Sequence, residues 1–199
     1  RRERSLVQAD YSIENKNYEE IINLVLNDHV TNAHNKIINN EKIKAELIQQ
    51  TKFECEQVLK LLHASQVIGE LSPKTLDSIM AAGEKLSCLF ITALLNDRNV
   101  EARYIDLSSI LLNGNSSSHS SFNSSGSLSN YSNNKNNDNF SLDQDFYNNL
   151  AKKLANKIIN LPDNVVPVLT GYFGPVPGGL LNGIGRGYTD LCAALVAVG

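Results

Sequence analysis

Along most of the chain the apolar residues recur with a helical period. From Tyr18, Ile21, Ile22, Val25, Val30, Ala33 and Ile37 return at steps of three to five, which predicts one amphipathic helix. Asn39-Asn40 breaks the pattern. A second helix is predicted from Glu41 to Ala64, with Ile43, Leu47, Ile48, Cys55, Val58, Leu59 and Leu62 on one side. Two long helices joined by so short a break favour an antiparallel hairpin over residues 18–64. Glu54, Glu56 and Lys60 read as its solvated face. Ser72-Pro73 opens a third helix, with Ser as N-cap and Pro at the first helical position, running to about Asn96.

The period then shortens. Ala102 to Leu107 reads as a strand after the turn at Asp97-Arg98-Asn99, and Val165, Val166 and Val168 read as a buried one. Between them Ser141-Leu142-Asp143 caps a helix on which Phe146, Leu150, Leu154 and Ile158 keep the i, i+4 step. A loop rich in glycine and proline follows the second strand, and an apolar helix follows Asp190. Helices alternating with strands predict an α/β fold with a parallel sheet. Residues 113–140 are different: about two-thirds of the positions are Ser or Asn and almost none aliphatic. Such a stretch cannot bury enough apolar surface to offset its ordering entropy, so a disordered surface insert is expected.

Composition narrows the function classes. With 18 Lys and Arg against 21 Asp and Glu, the net charge is −3, and no basic stripe points to nucleic acid. No apolar run is expected to approach the ~20 residues that cross a bilayer, so no membrane role is expected. Arg1-Arg2-Glu3-Arg4 leads into polar sequence without the apolar segment of a signal peptide. Cys55, Cys88 and Cys192 are too widely spaced for a disulfide framework and suit buried thiols in a reducing compartment, hence the cytoplasm. His29, His34, His63 and His119 never reach metal-ligand spacing with one another or with carboxylates, and no metal site is expected.

Candidate chemistry gathers in 164–199. Gly171 and Gly174 flank Tyr172-Phe173 at the carboxyl end of the second strand, where open α/β sheets place ligands; a plain tight turn is the alternative. Arg186 lies between Gly185 and Gly187, poorly placed to pack and well placed to grip a carboxylate bidentately, unless it is simply a surface residue. Thr189 and Asp190 open the last helix, whose first turn is expected to carry the Arg, hydroxyl and carboxylate together; Thr189 serves equally as an N-cap. Backbone amides bared by glycine at a helix start attract anions. Far upstream, Gly83 costs about 1 kcal/mol against Ala inside a helix. Its presence beside Glu84 implies either a close helix–strand approach with Glu84 exposed, or a site.

Two blocks, MAAGEKLSCLFITALL from Met80 and LTGYFGPVPGGLLNGIGRGYTDLCAAL from Leu169, resemble the fungal-type aspartate kinases of the amino-acid kinase family. The resemblance covers most of the chain outside the Ser/Asn stretch. It implies a three-layer αβα fold, incomplete at both ends, with 1–199 forming part of one catalytic domain. The implied activity is phosphorylation of the β-carboxylate of L-aspartate by ATP, as MgATP, in threonine and methionine biosynthesis, by a homo-oligomer. Carried over, Glu84 faces the substrate ammonium, Arg186 a substrate carboxylate, and Thr189 belongs to the substrate site. Asp190 is the active-site acid, while Gly171, Phe173, Gly174, Gly185 and Gly187 serve the phosphates. No Lys-Phe-Gly-Gly strand, Asp-Pro-Arg turn or ACT domain is found, so a fragment inactive by itself is expected. A kinase of another carboxylate, such as glutamate or acetylglutamate, and a non-catalytic helical interaction module are the competing readings.

Overall fold

The computed structural model describes residues 17–111, 144–176 and 178–199, without the side chain of Leu181. The Ser/Asn stretch 113–140 and the Ser141 cap lie outside the described residues. Helix α1 (Tyr18–Lys36) starts where the Asn17 side chain accepts the Glu20 amide. Helix α2 (Glu41–Ile68) starts where Asn40 accepts the amides of Lys42 and Ile43. It runs past Ala64 because the first residue able to take a left-handed conformation, Gly69 at φ 74°, comes only after Ile68. Helix α3 (Pro73–Asp97) is capped by Ser72, whose hydroxyl accepts the Thr75 amide.

The turn between α1 and α2 is organised by a residue distant in sequence. The Asp97 carboxylate, 2% exposed, accepts the backbone amides of Ile38, Asn39 and Asn40 at 3.2, 3.0 and 2.8 Å, and the Asn39 carboxamide at 3.1 Å. The Asn-Asn break is therefore a nest of donors around the last residue of α3. Ala33, Ile37, Leu47, Leu89 and Ala93 close an apolar cluster where the three helices meet.

Strands β1 (Ala102–Ile105) and β2 (Val166–Leu169) pair in parallel, Ala102 opposite Val166 and Ile105 opposite Leu169. Helix α4 (Gln144–Ile158) lies between them in sequence, as a parallel connection requires. Pro167 is tolerated because β2 bonds β1 through the amides of Val166 and Thr170, on the alternate positions. The Asn96 carboxamide bonds both backbone groups of Ala102, at 2.9 Å each. After β2 come a short helix α5 (Leu180–Gly183), which the sequence pattern does not announce, and α6 (Tyr188–Val198). Asp77 of α3, 4% exposed, accepts the Leu180 amide and so starts α5.

The second apolar cluster joins Ala81, Leu107, Leu150, Leu154, Phe173, Leu180 and Cys192. Phe173 is fully buried, and burial of such a ring contributes about 1.5–3 kcal/mol. The fold is mostly helical with a small parallel sheet, compatible with an α/β class. Contrary to expectation, one helix among the described residues, α3 at 25 residues, is long and apolar enough to cross a membrane by length and composition. The reason is its Ala, Leu and Ile content, typical of a helix that packs against a sheet. Here it lies against α2, β1 and β2, with Glu84 and Lys85 engaged at its middle.

Two carboxylates sit below the usual aspartate range. Burial would raise Asp97, but the amides of Ile38, Asn40 and Asn39 outweigh it. Burial would likewise raise Asp106, but hydrogen bonds from Ser108 and the Lys85 ammonium, 2.9 Å away, outweigh it. For a depressed folded pKa, the stabilisation is complete above the unfolded value of 3.8 and is lost as pH falls through the folded one. Urea midpoints should therefore drop below about pH 4, with a smaller drop in Asp97→Asn. An unchanged profile in that variant would show that the Asp97 nest does not contribute. At neutral pH, Asp97→Ala should lower the melting temperature, because three amides lose their acceptor.

Candidate active site

Three segments meet at the Glu84 carboxylate. Its Oε2 accepts the Tyr172 amide at 2.9 Å, from the turn after β2. Its Oε1 accepts the Thr189 hydroxyl at 2.7 Å, from the first turn of α6. Glu84 is half-buried, so the reading that leaves it on the exposed side of its helix does not hold. Neither does the close helix–strand approach proposed for Gly83: that residue is exposed, and a Cβ there would meet nothing within 4 Å. Among the described residues Glu84 has no cationic partner.

Lys85 points elsewhere, since successive helical residues are turned by about 100°. Its ammonium lies 2.9 Å from Asp106 at the end of β1 and 4.0 Å from Glu54 of α2. The pair ties α3 to the strand end beside Glu84. Thr170 closes the same end: its hydroxyl oxygen accepts the Leu107 amide at 3.0 Å, and its own amide reaches the Ile105 carbonyl at 3.2 Å. The thiols of Cys88 and Cys192 lie against the carbonyls of Leu169 and Thr170. Burial, then the Glu84 charge, pushes Cys192 up to about 11 and also raises Cys88. Both stay protonated at neutral pH, which removes them as nucleophiles.

The glycines divide into two kinds. Gly171 is buried, and a Cβ there would come within 2.5–2.8 Å of the Thr189 side chain. Only glycine lets this turn close onto α6. Gly174, at φ 114°, is buried against the Ser108 carbonyl, 3.0 Å from where its Cβ would be. Gly185 and Gly187 face open space, and Gly185 takes φ 93° in the turn that α6 leaves. The Phe173 expectation needs correcting: its ring is in the core at 0% exposure, so it packs and leaves only backbone for a ligand.

Arg186 lies before the helix and not in its first turn, because Gly187 is the N-cap. It is exposed and has no ion-pair partner among the described residues. Thr189 is not the cap, since its hydroxyl goes to Glu84 and α6 has no side-chain cap. Arg186 and Thr189 are three positions apart, so their backbones are at most about 11 Å apart. Asp190 is exposed in the first turn. Glu84, Gly171 and Thr189 are thus in contact, Arg186 and Asp190 flank them along the chain, and Phe173 and Gly174 stand behind as packing.

Sequence reasoning missed Tyr188. It is 7% exposed, and burial, followed by its hydrogen bond to Glu84, raises its phenol well above the ordinary range. A large aromatic between Gly187 and Thr189, at a helix start, was the available signal. The arrangement offers a carboxylate with no described cation, at the carboxyl ends of two parallel strands, and an exposed guanidinium three positions before Thr189 in the chain. That suits a small zwitterion with an ammonium at one end and a carboxylate at the other.

Comparison with known proteins agrees in kind. The chain is 47% identical to the aspartokinase of Candida albicans and 43% identical to that of Saccharomyces cerevisiae, in each case over 98% of its own length. It is 38% identical, over 90% of its length, to the aspartokinase of Schizosaccharomyces pombe. It spans about a third of these relatives, 33%, 33% and 30% of their lengths. No solved structure matches it. The family model for the amino acid kinase family matches residues 9–199. On that match, the chain belongs to the amino acid kinase family.

Proposed function

We propose that the chain is the substrate-recognising part of an aspartate kinase, within a three-layer αβα domain of which 1–199 is a portion. The observation that carries this reading is the Glu84 carboxylate. It is held by neutral donors, has no cationic partner among the described residues, and is bonded to Thr189, three positions along the chain from Arg186. Glu84 takes the substrate ammonium and Arg186 its α-carboxylate, leaving the β-carboxylate to react. Identity to three fungal aspartokinases, over 90% or more of this chain, supports aspartate as that substrate.

In the proposed reaction a β-carboxylate oxygen attacks the γ-phosphorus of MgATP. A new P–O bond forms, the bond to ADP breaks, and 4-phospho-L-aspartate is released. No base is needed, because the carboxylate is already ionised at neutral pH. The work is alignment and charge compensation. The uncapped amides at the start of α6, bared by Gly187, are the described donors suited to a phosphate. Asp190, beside them, would orient the cationic groups around the transferring phosphoryl. A cytoplasmic, homo-oligomeric enzyme serving threonine and methionine synthesis is part of the same proposal.

The test is acyl phosphate trapped as the hydroxamate, with aspartate and ATP, in the full-length enzyme and its Arg186→Ala variant. Loss of a guanidinium–carboxylate contact should weaken aspartate binding by about 2–3 kcal/mol, seen in the aspartate KM. A glutamate preference, or an aspartate KM indifferent to Arg186, would overturn the assignment.

A further inference from the structure

We infer that Thr189 is a positioning residue that makes the Glu84 corner of the site an acceptor-only subsite, one that takes an ammonium and rejects a carboxylate. A threonine hydroxyl has one proton. Here that proton goes to Glu84 Oε1 at 2.7 Å, so toward a ligand the Thr189 oxygen presents only lone pairs. Beside it stand the carboxylate's remaining lone pairs, and no described cation neutralises them. A substrate carboxylate brought here would meet the oxygens of Glu84, Thr189 and Tyr188, with both hydroxyl protons already directed to Glu84. An ammonium would meet several acceptors at once.

The direction of the hydroxyl is set by packing. The Thr189 methyl and hydroxyl both lie against Gly171, so close that a Cβ there would clash with each. A β-branched side chain has few χ1 options in a helix, and this contact reduces them further. The Gly171–Tyr172 turn therefore acts on Glu84 twice, through the Tyr172 amide on Oε2 and through the rotamer of Thr189 on Oε1. The consequence is a polarity rule: the amine enters beside α3, and the carboxylate end is left to the Arg186 side. That the amine belongs to aspartate rests on the proposed function; the Thr189–Glu84 bond and its effect on the turn do not.

The experiment compares full-length enzyme with Thr189→Val, which keeps the shape and removes the hydroxyl, and with Thr189→Ser, which restores it. Without substrate, hydrogen exchange at the Tyr172 amide should rise about tenfold in Thr189→Val and return toward wild type in Thr189→Ser, as Glu84 loses and regains a donor. The Ile110 amide, bonded to the Leu107 carbonyl, is the control and should not change. With substrates, Thr189→Val should raise the aspartate KM about tenfold, with kcat and the ATP KM within about twofold; Thr189→Ser should recover most of that loss. Wild-type exchange in Thr189→Val, a fall in kcat at constant KM, or no recovery in Thr189→Ser would each overturn the inference. If wild type does not turn over aspartate, the proposed function falls, and the exchange measurement alone decides the role of Thr189.

Discussion

A carboxylate removed from bulk water must be given donors, and around Glu84 that requirement shapes the end of the molecule. The residue sits on a helix 88 positions before Tyr172 and 105 before Thr189. Its oxygens are satisfied from two segments, by the Tyr172 backbone amide and by the hydroxyls of Thr189 and Tyr188. Neutral donors hold the group without cancelling its charge. This distinguishes it from Asp106, which is paired with Lys85, and from Asp97, which is enclosed by turn amides. Those two act in the fold; Glu84 keeps a net charge to offer.

The surrounding packing serves that geometry. Gly171 has to lack a side chain so that Thr189 can reach past it. Phe173 anchors the same turn in the core. Thr170 and the Lys85–Asp106 pair fix the two strand ends next to which the turn begins. Below it, Asp77 holds the start of α5. The residues that look most like ligand-binding glycines are thus partly close-contact glycines, and the open backbone is at Gly185 and Gly187.

Much of the helical frame could be read from the chain because its signals are local: Asn40 and Ser72 caps, Pro73 at the first helical position, Gly69 at an end. The parallel strand pair was legible from its β-branched runs and from the helix between them. What could not be read was long-range. Nothing in the string Asn39-Asn40 announces that Asp97 will enclose it, and nothing near Leu180 announces Asp77. At the site, the residue types were legible but their divisions were not. Phe173 was expected at the ligand and lies in the core. Thr189 had two open readings, neither of which was a bond to Glu84. Tyr188 was passed over because an aromatic at a helix start has no motif of its own. The apolar length of α3 was likewise underestimated, since charges at Glu84 and Lys85 hide a helix that is otherwise core.

Membership of the amino acid kinase family and likeness to fungal aspartokinases fit the proposal that this site takes a small zwitterion. The central claim is that the bare charge of Glu84 reads the amine. Calorimetric titration of the full-length enzyme and of Glu84→Gln with aspartate and with succinate, which lacks the amine, tests it most directly. The account predicts that wild type prefers aspartate by at least about tenfold, the scale of one charged hydrogen bond, and that Glu84→Gln binds the two alike. An undiminished preference for aspartate in Glu84→Gln would contradict it.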